Sequence, residues 1–289
     1  MTTLATLLPA IHARAKAVAS VARLPLRTGR WSGVSGSVLG QGTGNSLDFQ
    51  DQRPYLPGDD PRHINWQAYA RSGHYTMKLY QQEVTPRVDL LFDASASMFL
   101  PEGKAQRTWE LLYWCLENAL RLGASIKLHQ LGSAQPETPL ERALAYDWEF
   151  VGSPAGRDPA HGIMRCALRP GSLRILLSDL LHETAPDGVL TAMMQGRGRG
   201  MILAPYCIEE EKPDWSGNME FVECETHQRD KRRVDSATLA RYHRAYALHF
   251  SLWRDACARR GLNLARVPSE GQLLAALRGD AVNSGCVVM

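Results

Sequence analysis

The stretch Val88-Asp89-Leu90-Leu91-Phe92-Asp93-Ala94-Ser95-Ala96-Ser97-Met98 decides how this chain is read. Its first five residues are a short apolar run of strand length, and the run ends on the carboxylate of Asp93. A helical pattern follows, with Trp109, Leu112, Tyr113, Leu116 and Leu120 on one face, and it stops at Gly123. Strand, polar loop and helix are therefore legible in one pass.

Working outward, the alternation repeats. Further strands are expected at residues 125–131, 144–151, 173–178, 201–208 and 263–267, with helical stretches near 159–168, 188–195, 236–261 and 270–277. Short apolar strands separated by helices predict an α/β fold, a mostly parallel sheet with helices on both faces. Upstream, residues 31–60 are rich in Gly, Ser, Pro and Asp, and residues 47–55 and 75–82 can form strands, so a small irregular β-rich segment precedes the sheet. The expected organisation is an amphipathic N-terminal helix (1–30), the β-rich segment (31–85), the α/β domain (86–280) and a flexible tail (281–289).

Composition bounds the function. The 289 residues are 44% hydrophobic and 22% charged, ordinary for a globular protein, and 33 Lys+Arg against 30 Asp+Glu leaves +3. No concentrated basic stripe supports a nucleic-acid partner. The six cysteines stand singly, without a C-x-x-C pair, which fits a reducing compartment and a cytoplasmic protein. No apolar run approaches the ~18 residues of a membrane span.

Residues 1–47 lack Asp and Glu, while Leu4, Leu8, Ile11, Ala15, Val18 and Ala22 follow helical spacing beside Arg14, Lys16 and Arg23. We read this as a helix docked on its own domain. A peripheral contact of residues 1–30 with anionic lipid, placing the protein at the inner membrane face, and a transit peptide are the alternatives. Cys286-Val287-Val288-Met289 matches the C-a-a-X prenylation pattern, which four residues satisfy easily by chance. The run Gly196-Arg-Gly198-Arg-Gly200 follows a helix and not a strand, so it reads as a surface loop.

In an open parallel sheet, ligands bind beyond the carboxyl ends of the strands. Asp93 and Asp179 both end strands, and Ser95 and Ser97 follow Asp93 on alternate residues. Mg²⁺ takes oxygen ligands and keeps waters, so Asp93, Ser95, Ser97 and Asp179 form a candidate metal set. The bland alternative is that the serines and Asp93 cap the loop and the next helix.

This D-x-S-x-S pattern with a later strand-end Asp resembles the metal-ion-dependent adhesion site of von Willebrand factor A domains. The segment Arg53-Pro-Tyr55-Leu-Pro-Gly58-Asp59-Asp60-Pro-Arg62-His-Ile-Asn65-Trp66, followed by Arg71, resembles the signature of the domain of unknown function 58 family. The resemblance spans roughly residues 30–280, and Asn65 stands where the signature has Asp. It implies a von Willebrand factor A-like domain in a bacterial, non-enzymatic adaptor that partners a MoxR-type AAA+ ATPase in chaperone-like maturation of an unidentified protein client. The adhesion-site pattern also wants a Thr that residues 152–158 lack. Ser153 or Asp158 could substitute, or Arg157 could set a guanidinium near the two carboxylates and displace a cation.

Two readings stay open for Arg53, Tyr55, Asp59, Asp60, Arg62, Trp66 and Arg71. They form a partner-docking surface, or turn residues and Arg-carboxylate pairs brace the segment against the sheet, and bracing is favoured, with Trp66 as a core anchor in a half-buried strand. The competing activity is a haloacid-dehalogenase-type phosphatase with Asp93 as nucleophile. That chemistry needs a second Asp at position 95, where this chain has Ser.

Overall fold

Residues 26–86 form one unit and residues 1–25 with 87–289 another in the computed structural model, which describes residues 2–25, 35–40, 49–80, 82–133, 135–148 and 159–289. The chain begins with α1 (Thr2–Val18), which belongs to the larger unit.

In the smaller unit, β1 (Ser35–Gly40) and β2 (Phe49–Pro54) precede α2 (Trp66–Ser72), then β3 (Thr76–Tyr80) and β4 (Gln82–Val84). Their pairing makes two antiparallel ladders, β1 with β4 and β2 with β3. Asn65 starts α2: its Oδ1 accepts from the Ala68 N–H at 3.2 Å. Asn caps as well as Asp does, so the departure from the family signature costs the helix little. This cap also corrects the strand reading around Trp66. Trp66 is the first residue of a helix and 58% exposed, an outward-facing side chain and not a core anchor.

The larger unit is built on a six-stranded sheet. In chain order it uses β5 (Arg87–Asp93), α3 (Glu102–Arg121), β6 (Ser125–Leu131), β7 (Glu137–Thr138), α4 (Leu140–Leu144) and α5 (Pro159–Met164). There follow β8 (Leu173–Leu177), α6 (Pro186–Met194), β9 (Arg199–Tyr206), α7 (Ile208–Glu211), a hairpin of β10 (Gly217–Val222) and β11 (Arg229–Val234), α8 (Ser236–Arg259), β12 (Asn263–Pro268) and α9 (Leu273–Ala276). The strand order is β12-β9-β8-β5-β6-β7, parallel throughout except for β7. The strand expected over 144–151 is not the next one: residue 144 closes a helix, and the short antiparallel β7 occupies that edge instead. Residues 149–158 lie outside the described residues, and Ser153, Arg157 and Asp158 with them.

Alternation along the strands sends side chains to opposite faces. Leu91, Leu176, Ile202 and Leu264 pack with Val189, Leu190, Phe250 and Trp253 of α6 and α8. On the other face Phe92 meets Trp109 of α3, ring centroids 5.6 Å apart. Truncating a buried aromatic such as Trp109 removes ~3–5 kcal/mol, so α3 is fixed firmly across the sheet.

The N-terminal helix docks on α3. Leu8, Ile11, Ala15, Ala19 and Ala22 are buried, His12 Nε2 lies 2.8 Å from Glu117, and Arg14 reaches Glu110 at 3.3 Å. Four residues of the apolar stripe, Leu8, Ile11, Ala15 and Ala22, are thus covered by protein. The last residues are not a flexible tail: Ala281, Cys286 and Val287 are buried, and Val288 exchanges backbone hydrogen bonds with Arg23 at 2.7 and 2.8 Å. The reason is apolar content, since Cys286 and Val287 have a core to enter. The Gly196–Gly200 run is also more than a loop. A Cβ on Gly198 would lie 2.5 Å from the buried Arg174 guanidinium, and one on Gly200 would collide with Leu262.

His129 on β6 is wholly buried, and neither ring nitrogen has a hydrogen-bond partner among the described residues. Burial pushes its pKa down, Lys127 and Arg169 push the same way, and Asp89 and Glu137 oppose them. A lowered folded-state pKa means the unfolded chain takes up the proton first as pH falls below ~6.5. Chemical denaturation at pH 7.5 and 5.5 is expected to show stability falling with acid, by at most ~1.4 kcal/mol per pH unit from this group, and His129→Leu is expected to flatten that dependence.

Candidate functional site at the carboxyl ends of the strands

The connection from β5 runs through α3 on one face, and that from β8 through α6 on the other. Adjacent parallel strands whose connections diverge open a crevice at their carboxyl ends. Asp93 closes β5, and Asp179 lies two residues beyond β8, its neighbour in the sheet. The two candidate carboxylates therefore share one rim.

Their oxygens are already in use. Asp93 Oδ1 accepts from the Ser95 N–H at 3.0 Å, and its Oδ2 accepts from the Ser178 hydroxyl at 2.6 Å. The Ser95 and Ser97 hydroxyls bond each other at 3.1 Å. Asp179 Oδ1 accepts from Leu181 N–H at 3.1 Å, and its Oδ2 takes the Lys104 ammonium at 2.8 Å. The same Lys104 Nζ donates to Glu210 Oε1 at 2.5 Å.

Lys104 sits in the first turn of α3 with its side chain 0% exposed. Burial alone lowers its pKa, but the charges of Asp179 and Glu210 outweigh burial and the pKa is raised. The ammonium is thus charged in place. Glu210 is held in turn: its Oε2 accepts from the Cys207 N–H at 3.0 Å, and Tyr242 donates to its carbonyl at 2.6 Å. Burial drives the Asp93 carboxyl the other way, toward its neutral form, with the nearby Asp179 charge adding to the effect. Burial also raises the Cys207 and Cys224 thiols, which keeps both protonated near neutral pH.

The adhesion-site pattern implies Mg²⁺, which needs oxygens at about 2.0–2.1 Å in octahedral array. All four oxygens of Asp93 and Asp179 accept from protein donors, one of them from a cation. This donor set does not fit a divalent ion as it stands. Among the described residues no group of three or more His, Cys, Asp or Glu is arranged to hold a metal.

The block in the smaller unit is largely self-paired. Arg53 grips Asp59 through two bonds of 2.7 and 2.6 Å, and Asp60 caps the turn at Arg62 while pairing its guanidinium at 2.6 Å. The Arg53 bonds hold Asp59 below the usual carboxylate range, and Arg62 holds Asp60 at about 2. Tyr55, Trp66, Tyr69 and Tyr75 cluster there, with Tyr69 and Tyr75 stacked at 4.4 Å. Arg71 is exposed at the end of α2.

Sequence reasoning located Asp93, Ser95, Ser97 and Asp179 and missed Lys104 and Glu210. One signal was present: a lysine in the first turn of a helix opposes the macrodipole, so it needs another reason to be there.

An α/β protein with a polar, internally paired strand-end rim is the class these features define. The chain belongs to the family described as "Protein of unknown function DUF58", which it matches over residues 51–251. No curated protein matches it. Among solved structures it is similar to the conserved hypothetical protein BatB from Bacteroides thetaiotaomicron, at 14% identity over 69% of this chain and 98% of that one, with a TM-score of 0.34. It is also similar to an aerotolerance-related membrane protein from Bacteroides fragilis, at 12% identity over 60% and 99%, with a TM-score of 0.28. Among the described residues no helix is long and apolar enough to cross a membrane.

The two carboxylates are expected to respond differently to neutralisation. Asp93→Asn removes a carboxylate that burial disfavours, keeps the Ser95 N–H bond on its amide oxygen and reverses the Ser178 bond, the amide N–H donating to the hydroxyl, so it should cost ~1 kcal/mol. Asp179→Asn strips a buried ammonium of one partner and should cost ~3–5 kcal/mol, read by denaturant unfolding of both variants.

Proposed function

We propose that the chain is a non-enzymatic interaction protein with a von Willebrand factor A-like sheet, and that it engages its partner across the carboxyl-end rim as an adaptor of a MoxR-type AAA+ ATPase on the cytoplasmic side. One observation carries the reading. Three rim loops each set an exposed large apolar residue beside an exposed glutamate: Leu100 with Glu102, Leu181 with Glu183, and Ile208 with Glu209. Leu100 is 57% exposed, Leu181 40% and Ile208 49%, and each lies in the segment that leaves the carboxyl end of a sheet strand, β5, β8 and β9 in turn. A complementary surface would be apolar with basic neighbours.

The chemistry of the rim supports binding over catalysis. A nucleophilic aspartate must be ionised, whereas Asp93 is driven toward the neutral acid and bonded to Ser178. Ser95 stands where a haloacid-dehalogenase-type enzyme would need its general acid. The ATPase as partner rests on the family resemblance, and hydrolysis would be that partner's work.

Photo-crosslinkers placed at Leu181 and, as a control on the opposite rim, at Gln195 test the reading in the native cell. The expected result is an AAA+ ATPase captured from position 181 and not from 195. Equal capture from both positions, or turnover of a generic phosphate ester that Asp93→Asn abolishes, would replace the adaptor with another function.

A further inference from the structure

The adhesion-type pattern and the geometry around it disagree, and the disagreement is informative. The residues that would surround a divalent ion are present, yet a positive charge from the chain itself already lies among them. Lys104 reaches from the first turn of α3 to Asp179 beyond β8 and Glu210 beyond β9, 2.8 and 2.5 Å away, with no exposed surface of its own. The remaining oxygens of Asp93 and Asp179 are taken by the Ser178 hydroxyl and by the N–H groups of Ser95 and Leu181.

We infer that Lys104 is the resident cation of this rim, and that the rim keeps its shape and engages its partner without Mg²⁺ or any other divalent ion. A divalent ion bound to Asp179 Oδ2 would have to share that oxygen with an ammonium, and like charges at such separations repel strongly where water is excluded. Displacing the ammonium is no easier, because Lys104 would then stay buried without a counter-charge. In a metal-dependent site a partner's carboxylate completes the ion's coordination. Here the cation is out of a partner's reach, which agrees with a contact made by the apolar and acidic groups of the surrounding loops.

The inference rests on the interaction reading for its meaning, but its test does not. The full chain, dialysed against EDTA, is titrated with MgCl₂ by calorimetry, and its thermal unfolding is followed with EDTA or Mg²⁺ present. No saturable heat and no shift of the unfolding temperature are expected. Lys104→Ser opens the space between Asp179 and Glu210, and this variant should gain Mg²⁺ binding. At about a hundred times the dissociation constant, Mg²⁺ should raise its unfolding temperature by roughly 5–10 °C.

Saturable Mg²⁺ binding by the unaltered chain that Asp179→Asn removes overturns the inference. So does a folded Lys104→Ser chain that ignores Mg²⁺. If Lys104→Ser does not fold, the titration of the unaltered chain decides by itself. A chain that ignores Mg²⁺ but captures no ATPase removes the adaptor and leaves the role of Lys104 standing. A chain that binds Mg²⁺ and captures the ATPase does the reverse.

Discussion

A single buried ammonium holds the strand-end rim together. Lys104 ties the start of α3 to the ends of β8 and β9, three places that no backbone ladder joins at that level. Two carboxylates brought this close without it would repel, and the loops that carry them would have to open to water. Burying such a cluster is unfavourable unless every member is satisfied. Here the second oxygens of Asp179 and Glu210 each accept a backbone N–H. The result fixes geometry more than it adds stability.

The opposite end of the sheet meets the same problem with a different pair. Asp89, fully buried near the start of β5, accepts from Arg169 at 2.7 and 2.8 Å and from the Ser172 hydroxyl at 2.7 Å. A buried carboxylate is thus paired with a cation at each end of the sheet, Asp89 of β5 with Arg169 and Asp179 beyond β8 with Lys104, but the partners differ. Arg169 remains partly exposed at its end, while Lys104 is sealed in. The asymmetry leaves Lys104 hidden beneath the exposed apolar and acidic groups of the carboxyl-end rim.

What the sequence made legible follows from where hydrophobicity was concentrated. β5, β8, β9 and β12 are apolar runs because both faces are covered, so the sheet and its switch point could be placed from Val88–Phe92 outward. The β10–β11 hairpin was missed because Arg229-Asp-Lys-Arg-Arg-Val234 has almost no buried face to leave a pattern. Trp66 misled because Ile64 and Ala68 alternate with polar residues as a strand would, while the decisive residue was Asn65, whose side chain starts a helix. Lys104 stayed hidden for a more general reason. Lysine is almost never fully buried, so composition assigns it to the surface by default. Its position in a helix's first turn was the clue, and such a clue gains meaning only once the acids it serves are seen to be adjacent. In the smaller unit the charged block could be quoted in full, but its pairing of Arg53 with Asp59 and Asp60 with Arg62 needed coordinates to resolve.

The Gly196–Gly200 run bears on how experiments around it are interpreted. Its glycines look like the spacing of a basic recognition tract, but two of them are the clearance between β9, the Arg174 guanidinium and the Leu262 side chain. A scan that replaces them with alanine would drive the Arg174 and Leu262 side chains from their places beside β9. Any activity lost that way would report a spoiled interior and say nothing about contact with RNA or any other polyanion.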